Sequence, residues 1–242
     1  MYEMIRNTLV PRGTGRTQAV LPRLGPIGVL AATVVAAAFI LPSPVKAGDK
    51  GQESAQHTAA VEWHPQSGKE GEVAGAEATL YTTEWGSSVH FEAAGLEPGH
   101  VYTLWWVVVN NPGACEAHPE PCTAGDVLAE GNPAEAQVGY ADGNVATDDG
   151  EATFSAHFTP GPIEGGWLPD QEFTNLGGAE HHFVVNDHGP LVAELMPGMM
   201  HTYRGGCSDD SPFPDGFPDT ALADGEPGPN ECILTQDAIL QP

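Results

Sequence analysis

Residues 95–111 read GLEPGHVYTLWWVVVNN, a Gly/Pro-punctuated turn running into nine apolar or β-favouring residues, Val101 to Val109. Tyr102, Leu104, Trp106 and Val108 fall on one side of an extended chain; Val101, Thr103, Trp105, Val107 and Val109 fall on the other. Both sides are apolar, as in a central strand covered on both faces. The run is short, aromatic and β-branched, and it follows Pro98-Gly99, so a strand is favoured over a buried helix.

Outward from this strand, the chain alternates short strand patterns with turn signals. Glu77–Thr83, Ser88–Ala93, Ala136–Ala141, Glu151–Phe158 and Gly178–Asn186 carry the stronger patterns; Met199–Arg204 and Ile233–Leu240 carry weaker ones. Asp142-Gly143-Asn144 and Asp148-Asp149-Gly150 supply turn chemistry. Seven or eight such strands with almost no amphipathic helix predict an all-β domain. The series Leu96-x-Pro98-x-x-x-Tyr102 resembles the tyrosine corner of immunoglobulin-like and fibronectin type III domains, where a Tyr hydroxyl bonds back to the preceding turn. That resemblance implies a single immunoglobulin-like, Greek-key β-sandwich over residues 76–242.

The N-terminus has a different character. Arg6, Arg12, Arg16 and Arg23 precede an apolar run, Ile27–Leu41, and then Pro-Ser-Pro-Val-Lys-Ala to Ala47. A basic region, an apolar region of this length and a Val-x-Ala site predict a signal peptide over 1–47 and a secreted, periplasmic or cell-envelope location. An uncleaved anchor is the rival, but the apolar run is shorter than the roughly 20 residues that span a bilayer. No stable membrane insertion is expected after cleavage. Residues 48–75 are polar, rich in Gly and Glu and lack periodicity, so they read as a flexible lead-in, with Trp63 as a possible pin.

Charge shifts with the cleavage. The whole chain has 8 Lys and Arg against 33 Asp and Glu; beyond residue 47 only Lys50, Lys69 and Arg204 face 32 carboxylates, a net charge of −29. Such a surface repels nucleic acid and anionic membranes. It keeps the protein soluble, or it offers a field to cations and basic partners.

Cys115 and Cys122 bracket EAHPEP, while Cys207 and Cys232 bracket a long acidic, Pro-rich loop. Local pairing is the simplest of three connectivities. An oxidising compartment favours disulfides, and no Cys-x2-Cys spacing supports zinc.

The stretch most able to carry chemistry is Ala179–Pro190, AEHHFVVNDHGP. On a regular strand Glu180, His182 and Val184 share one face, while His181, Phe183 and Val185 share the other. His182 and His188 form a candidate ligand pair, with His157 and His201 to complete it in space; imidazole suits copper or zinc. The plain alternative makes His182 a hydrogen-bonded sheet histidine and His188 a turn residue. The 208–231 loop, with Asp209, Asp210, Asp215, Asp219, Asp224, Glu226 and Glu231, is a weaker Ca²⁺ candidate, since its spacing is not that of an EF-hand. No G-x-S-x-G elbow and no phosphate loop appears.

Two family resemblances bear on function. A GLxPG-type turn before a central strand is similar to copper/zinc superoxide dismutase, but Tyr102-Thr103-Leu104-Trp105-Trp106 stands where that family has paired copper ligands. The activity therefore does not carry over. The ordered series GLEPGHVYTLWWVVVNNPGAC, GxATFSAH, GAEHHFVVNDHGP and YRGGC resembles a group of exported bacterial β-sandwich proteins to which no named activity is attached. The resulting expectation is a non-enzymatic binding or interaction domain, taking an unknown protein or small-molecule ligand. The alternative is a copper- or zinc-dependent enzyme or metal carrier using the histidines above.

Overall fold

The computed structural model describes residues 54–213 and 216–241. The expected signal peptide at 1–47 lies outside them. In chain order the strands are β1 (Ala55–Trp63), β2 (Glu72–Thr83), β3 (Gly86–Ala93), β4 (His100–Val109), β5 (Ala136–Val145), β6 (Ala152–Phe158), β7 (Gly161–Pro162), β8 (Glu172–Phe173), β9 (Glu180–Pro190) and β10 (Ile233–Leu240). Short helices α1 (Ala124–Val127), α2 (Met196–His201) and α3 (Asp219–Leu222) sit in the long connections. None of the helices among the described residues is long and apolar enough to cross a membrane.

The protein is all-β, and the eight longer strands form one antiparallel sheet in the order β5-β4-β9-β10-β1-β2-β3-β6. Its two halves differ in how firmly they join. β1 pairs with β2 along most of its length, but with β10 only through Glu62–Asp237 and Trp63–Gln236. At the opposite edge β5 and β6 lie side by side and close the sheet through side chains. Ser155 N–H donates to Asp142 Oδ2 at 2.9 Å, and Asn144 Nδ2 donates to the Thr153 carbonyl at 3.1 Å. The result is nearly a barrel.

Two expectations need correction. The segment 48–75, expected as a flexible lead-in, instead supplies β1 and the start of β2. Its alternation is weak because only Val61 of β1 is fully buried, while the outward positions are small or polar. Met199–Arg204, expected as a strand, instead begins within α2; Pro197 stands in the first turn, where a missing N–H costs nothing.

β4 behaves as its sequence requires. It pairs with β5 on one side and β9 on the other. Tyr102, Leu104, Trp106 and Val108 point inward among Leu80, Phe91, Phe154, Phe183 and Val185. Trp105 and Val109 point outward into a second apolar cluster with Val138, Trp167 and Tyr203. The neighbouring tryptophans therefore serve separate cores. The tyrosine corner is present: Glu97 N–H donates to the Tyr102 hydroxyl at 2.9 Å. Leu96 N–H reaches the Gly150 carbonyl at 3.0 Å, and Gly150 has φ +73°, where a Cβ would come within 2.5 Å of Leu96 O. Only glycine permits that approach.

Both disulfides form as expected, Cys115–Cys122 and Cys207–Cys232. They close the loops that cover the outer cluster.

Candidate binding cleft

The outer face of β4, β9 and β10 forms the floor of a cleft of about 410 Å³. Strand register sets the floor in two rows. Val107, His182 and Ile239 stand abreast, and Trp105, Val184 and Asp237 stand abreast beside them. Alternation explains why these six share a face. Cys122, Val127 and Leu128 form one wall, held by the 115–122 disulfide and by the Thr123–Asp126 capping box that starts α1. Trp167, Tyr203 and Phe217 form an aromatic wall, and His64 and Gln66 close the side near β1. The Trp105 and Trp167 rings lie 4.5 Å apart between centroids, and Tyr203 meets Trp167 edge-on at 4.8 Å.

The polar groups are few and concentrated near the floor. Glu180 is 1 % exposed and accepts three hydrogen bonds: from Cys122 N–H at 2.7 Å, from Gln241 Nε2 at 2.6 Å and from His182 Nε2 at 2.5 Å. Burial pushes its carboxyl up, but the bonds from His182, Gln241 and Cys122 together outweigh burial and hold it below the usual range. An ionised carboxylate only accepts, so Nε2 of His182 carries the proton and Nδ1 has no protein partner.

Asp237 is different. It makes no hydrogen bond or ion pair among the described residues, and burial first, then the neighbouring Glu62, raises its carboxyl to about 6, with His182 pulling the other way. Burial lowers the pKa of His64, so that ring is uncharged near neutrality. The Trp167 indole N–H is buried without an acceptor among the described residues.

The sequence-named histidines do not converge. His182 and His188 share the outer face of β9 but stand six residues apart, about 20 Å along an extended strand. That separation excludes a shared ion. His188 is fully buried: Nδ1 donates to the Gly205 carbonyl at 2.8 Å, and Nε2 accepts from Thr103 Oγ1 at 2.8 Å. Thr103 Oγ1 in turn accepts from Trp105 Nε1 at 2.9 Å. His188 thus pins the Trp105 ring that floors the cleft. His157 is exposed on β6 and bonds Ser88 Oγ at 2.8 Å; His201 is exposed at the end of α2 and bonds the Pro197 carbonyl at 2.9 Å.

Among the described residues, one group of His, Cys, Asp or Glu gathers within ligating reach, His188 with Cys207 and Cys232. Both sulfurs are in a disulfide, so neither is a thiolate that binds metal. In the acidic loop, Asp209 pairs with Arg204 at 2.7 Å and Asp224 accepts Tyr203 N–H at 3.0 Å. Asp215 lies outside the described residues.

Several site residues carried no sequence signal. Asp237 sat in a weak strand pattern, and Trp167 and Phe217 sat in loops without periodicity. Alternation did mark His181 as facing away from His182. It lies inside the barrel, where Trp106 Nε1 donates to its Nδ1 at 3.0 Å and its Nε2 finds no partner.

No family model matches this chain, and no curated protein or solved structure matches it.

Proposed function

We propose that the protein is an exported, acidic binding domain whose cleft over β4, β9 and β10 takes a small, largely apolar ligand. The cleft itself carries this reading: about 410 Å³, floored and walled by Trp105, Val107, Val184, Trp167, Tyr203 and Phe217, with a few polar groups at one end. Ligand pockets are concave, mostly apolar and polar at a few placed points. The lining offers no hydroxyl or amine nucleophile beside the His182 imidazole other than the phenol of Tyr203, which burial holds in its neutral form. That favours binding over covalent catalysis.

Export rests on the basic, apolar and Val-x-Ala series up to Ala47, and two disulfides fit an oxidising compartment. The tyrosine corner and the weak β1–β10 junction support kinship with immunoglobulin-like, Greek-key sandwiches whose two sheets have fused at their edges. The ordered motifs shared with exported bacterial β-sandwich proteins support the same view.

A neutral fluorescent probe, N-phenyl-1-naphthylamine, tests the cleft. It should bind at one site per chain and brighten on leaving water. Val184→Trp, which fills the floor from a half-buried position, should abolish the signal without lowering the unfolding midpoint. Equal brightening with both proteins would place the probe elsewhere and remove the reading.

A further inference from the structure

The cleft is apolar, yet its polar end carries negative charge with no cation set against it. Asp237 faces the cleft from β10 with no hydrogen bond or ion pair among the described residues, and Glu62 is its cross-strand neighbour. Glu180 lies beneath His182 on β9, fully engaged and ionised.

Hydrogen bonds hold Glu180 ionised, and near neutrality Asp237, raised only to about 6, is ionised as well, so two carboxylates face one imidazole and this end of the cleft is net negative. His64 is held neutral by burial and Tyr203 is a neutral phenol. The two strong cations among the described residues are engaged elsewhere: Arg204 pairs with Asp209, and Lys69 lies 3.9 Å over the Trp63 ring.

A charge in a low-dielectric cleft is costly unless a partner neutralises it. The aromatic wall offers the Trp167 ring and the floor the Trp105 ring, whose negative faces attract cations. Trp167 is 5 % exposed and its indole N–H is buried without an acceptor among the described residues, so the ring meets the cleft through its carbon atoms.

We infer that the cleft selects a small organic amine in its ammonium form, with an apolar or aromatic body against the Trp105 and Trp167 rings and Asp237 as its counter-charge. The inference rests on the cleft reading above and adds the chemical class of the ligand. The net charge of the chain beyond residue 47, −29, raises the local concentration of such cations without discriminating among them. Discrimination belongs to Asp237.

Three isosteric probes separate the possibilities: 2-phenylethylamine, 2-phenylethanol and phenylacetate, titrated calorimetrically at neutral pH and 0.15 M salt into the disulfide-intact protein. The amine should bind at least tenfold more tightly than the alcohol, and phenylacetate should be weakest. In Asp237→Asn the amine should lose far more affinity than the alcohol and fall to about the level of the alcohol in the same variant. This variant removes an unpaired, half-buried charge, so its unfolding midpoint should hold or rise. If amine and alcohol bind alike in the wild type, or if the advantage of the amine survives in Asp237→Asn, the ammonium inference is overturned and the apolar cleft stands. If none of the three binds, the cleft reading falls with it.

Discussion

Glu180 Oε1 lies 2.5 Å from His182 Nε2, two residues on along the same face of β9, and the same carboxylate receives Cys122 N–H and Gln241 Nε2. One buried group thus joins the floor of the cleft, the disulfide-closed wall and the C-terminal end of β10. Removing it strands the buried Cys122 N–H and takes the acceptor from His182 and Gln241. Glu180→Ala should cost about 2–3 kcal/mol in urea denaturation, the range for buried hydrogen bonds to a charged group. An unchanged midpoint would mean that these three donors find other partners.

The tyrosine corner gives a second stability test. Tyr102→Phe keeps the ring packed and deletes the acceptor for Glu97 N–H together with the hydroxyl's interaction with Asp187. The loss should be about 1–2 kcal/mol, set by how much of that donor remains shielded from water. A double variant that replaces Glu97 by proline removes the donor as well. In that background Tyr102→Phe should cost much less. Equal costs in the two backgrounds would assign the effect to something other than this bond.

Much of the fold was legible for one reason: β4 is apolar on both faces, so a central strand was the reading that satisfied all nine residues. The corner motif then oriented the turn before it. β1 escaped because most of its outward positions are solvated, and a strand that buries little leaves little pattern. The two disulfides were legible from local spacing. The cleft was not, because its floor comes from three strands far apart in sequence and its aromatic wall from irregular loops. His182 was recognised as notable, but its partners, Glu180 on the same strand and Asp237 on β10, depend on register. Register cannot be read before the pairing is known. The His182–His188 pairing was misjudged for a similar reason: β9 continues straight through His188 to Pro190, so no turn brings the two together.

Acid should destabilise the fold in a calculable direction. Burial is the main cause in both cases, and it holds His181 down to about 3 and His188 to about 4. Unfolded histidines titrate near 6.5, so between those values the unfolded chain binds more protons and stability falls as pH falls. Asp237, raised to about 6, acts in the opposite sense between its unfolded value and about 6. His64, also lowered by burial, adds to His181 and His188, so the histidines outweigh Asp237 and stability should fall from pH 6 to 5, more steeply in Asp237→Asn. Urea denaturation across this range checks both, and a flat profile would show that the two buried rings accept protons without unfolding.

The Cys115–Cys122 bridge closes a short loop, with a sequence separation of 7, so its loss should cost about 2 kcal/mol by loop entropy. Its functional effect should be larger in proportion. Cys122 lines the cleft and its N–H is tied to Glu180. The Cys115→Ala, Cys122→Ala double variant should therefore bind N-phenyl-1-naphthylamine several-fold more weakly while still folding. Unaltered affinity would show that this wall takes no part in holding a ligand.

The five tryptophans allow the cleft to be tested at single-residue level, because each indole N–H gives one cross-peak in a ¹H–¹⁵N correlation spectrum. Trp105 and Trp167 line the cleft, Trp106 is sealed inside the barrel against His181, Trp63 lies under Lys69, and Trp85 is 66 % exposed at the β2–β3 turn. On titration with 2-phenylethylamine, the Trp167 and Trp105 indole peaks should move together and saturate as the ligand packs against their rings. Trp63, Trp85 and Trp106 should stay in place. If Trp85 moves alone, or if all five stay fixed at saturating probe, the cleft over β4, β9 and β10 is not the binding site.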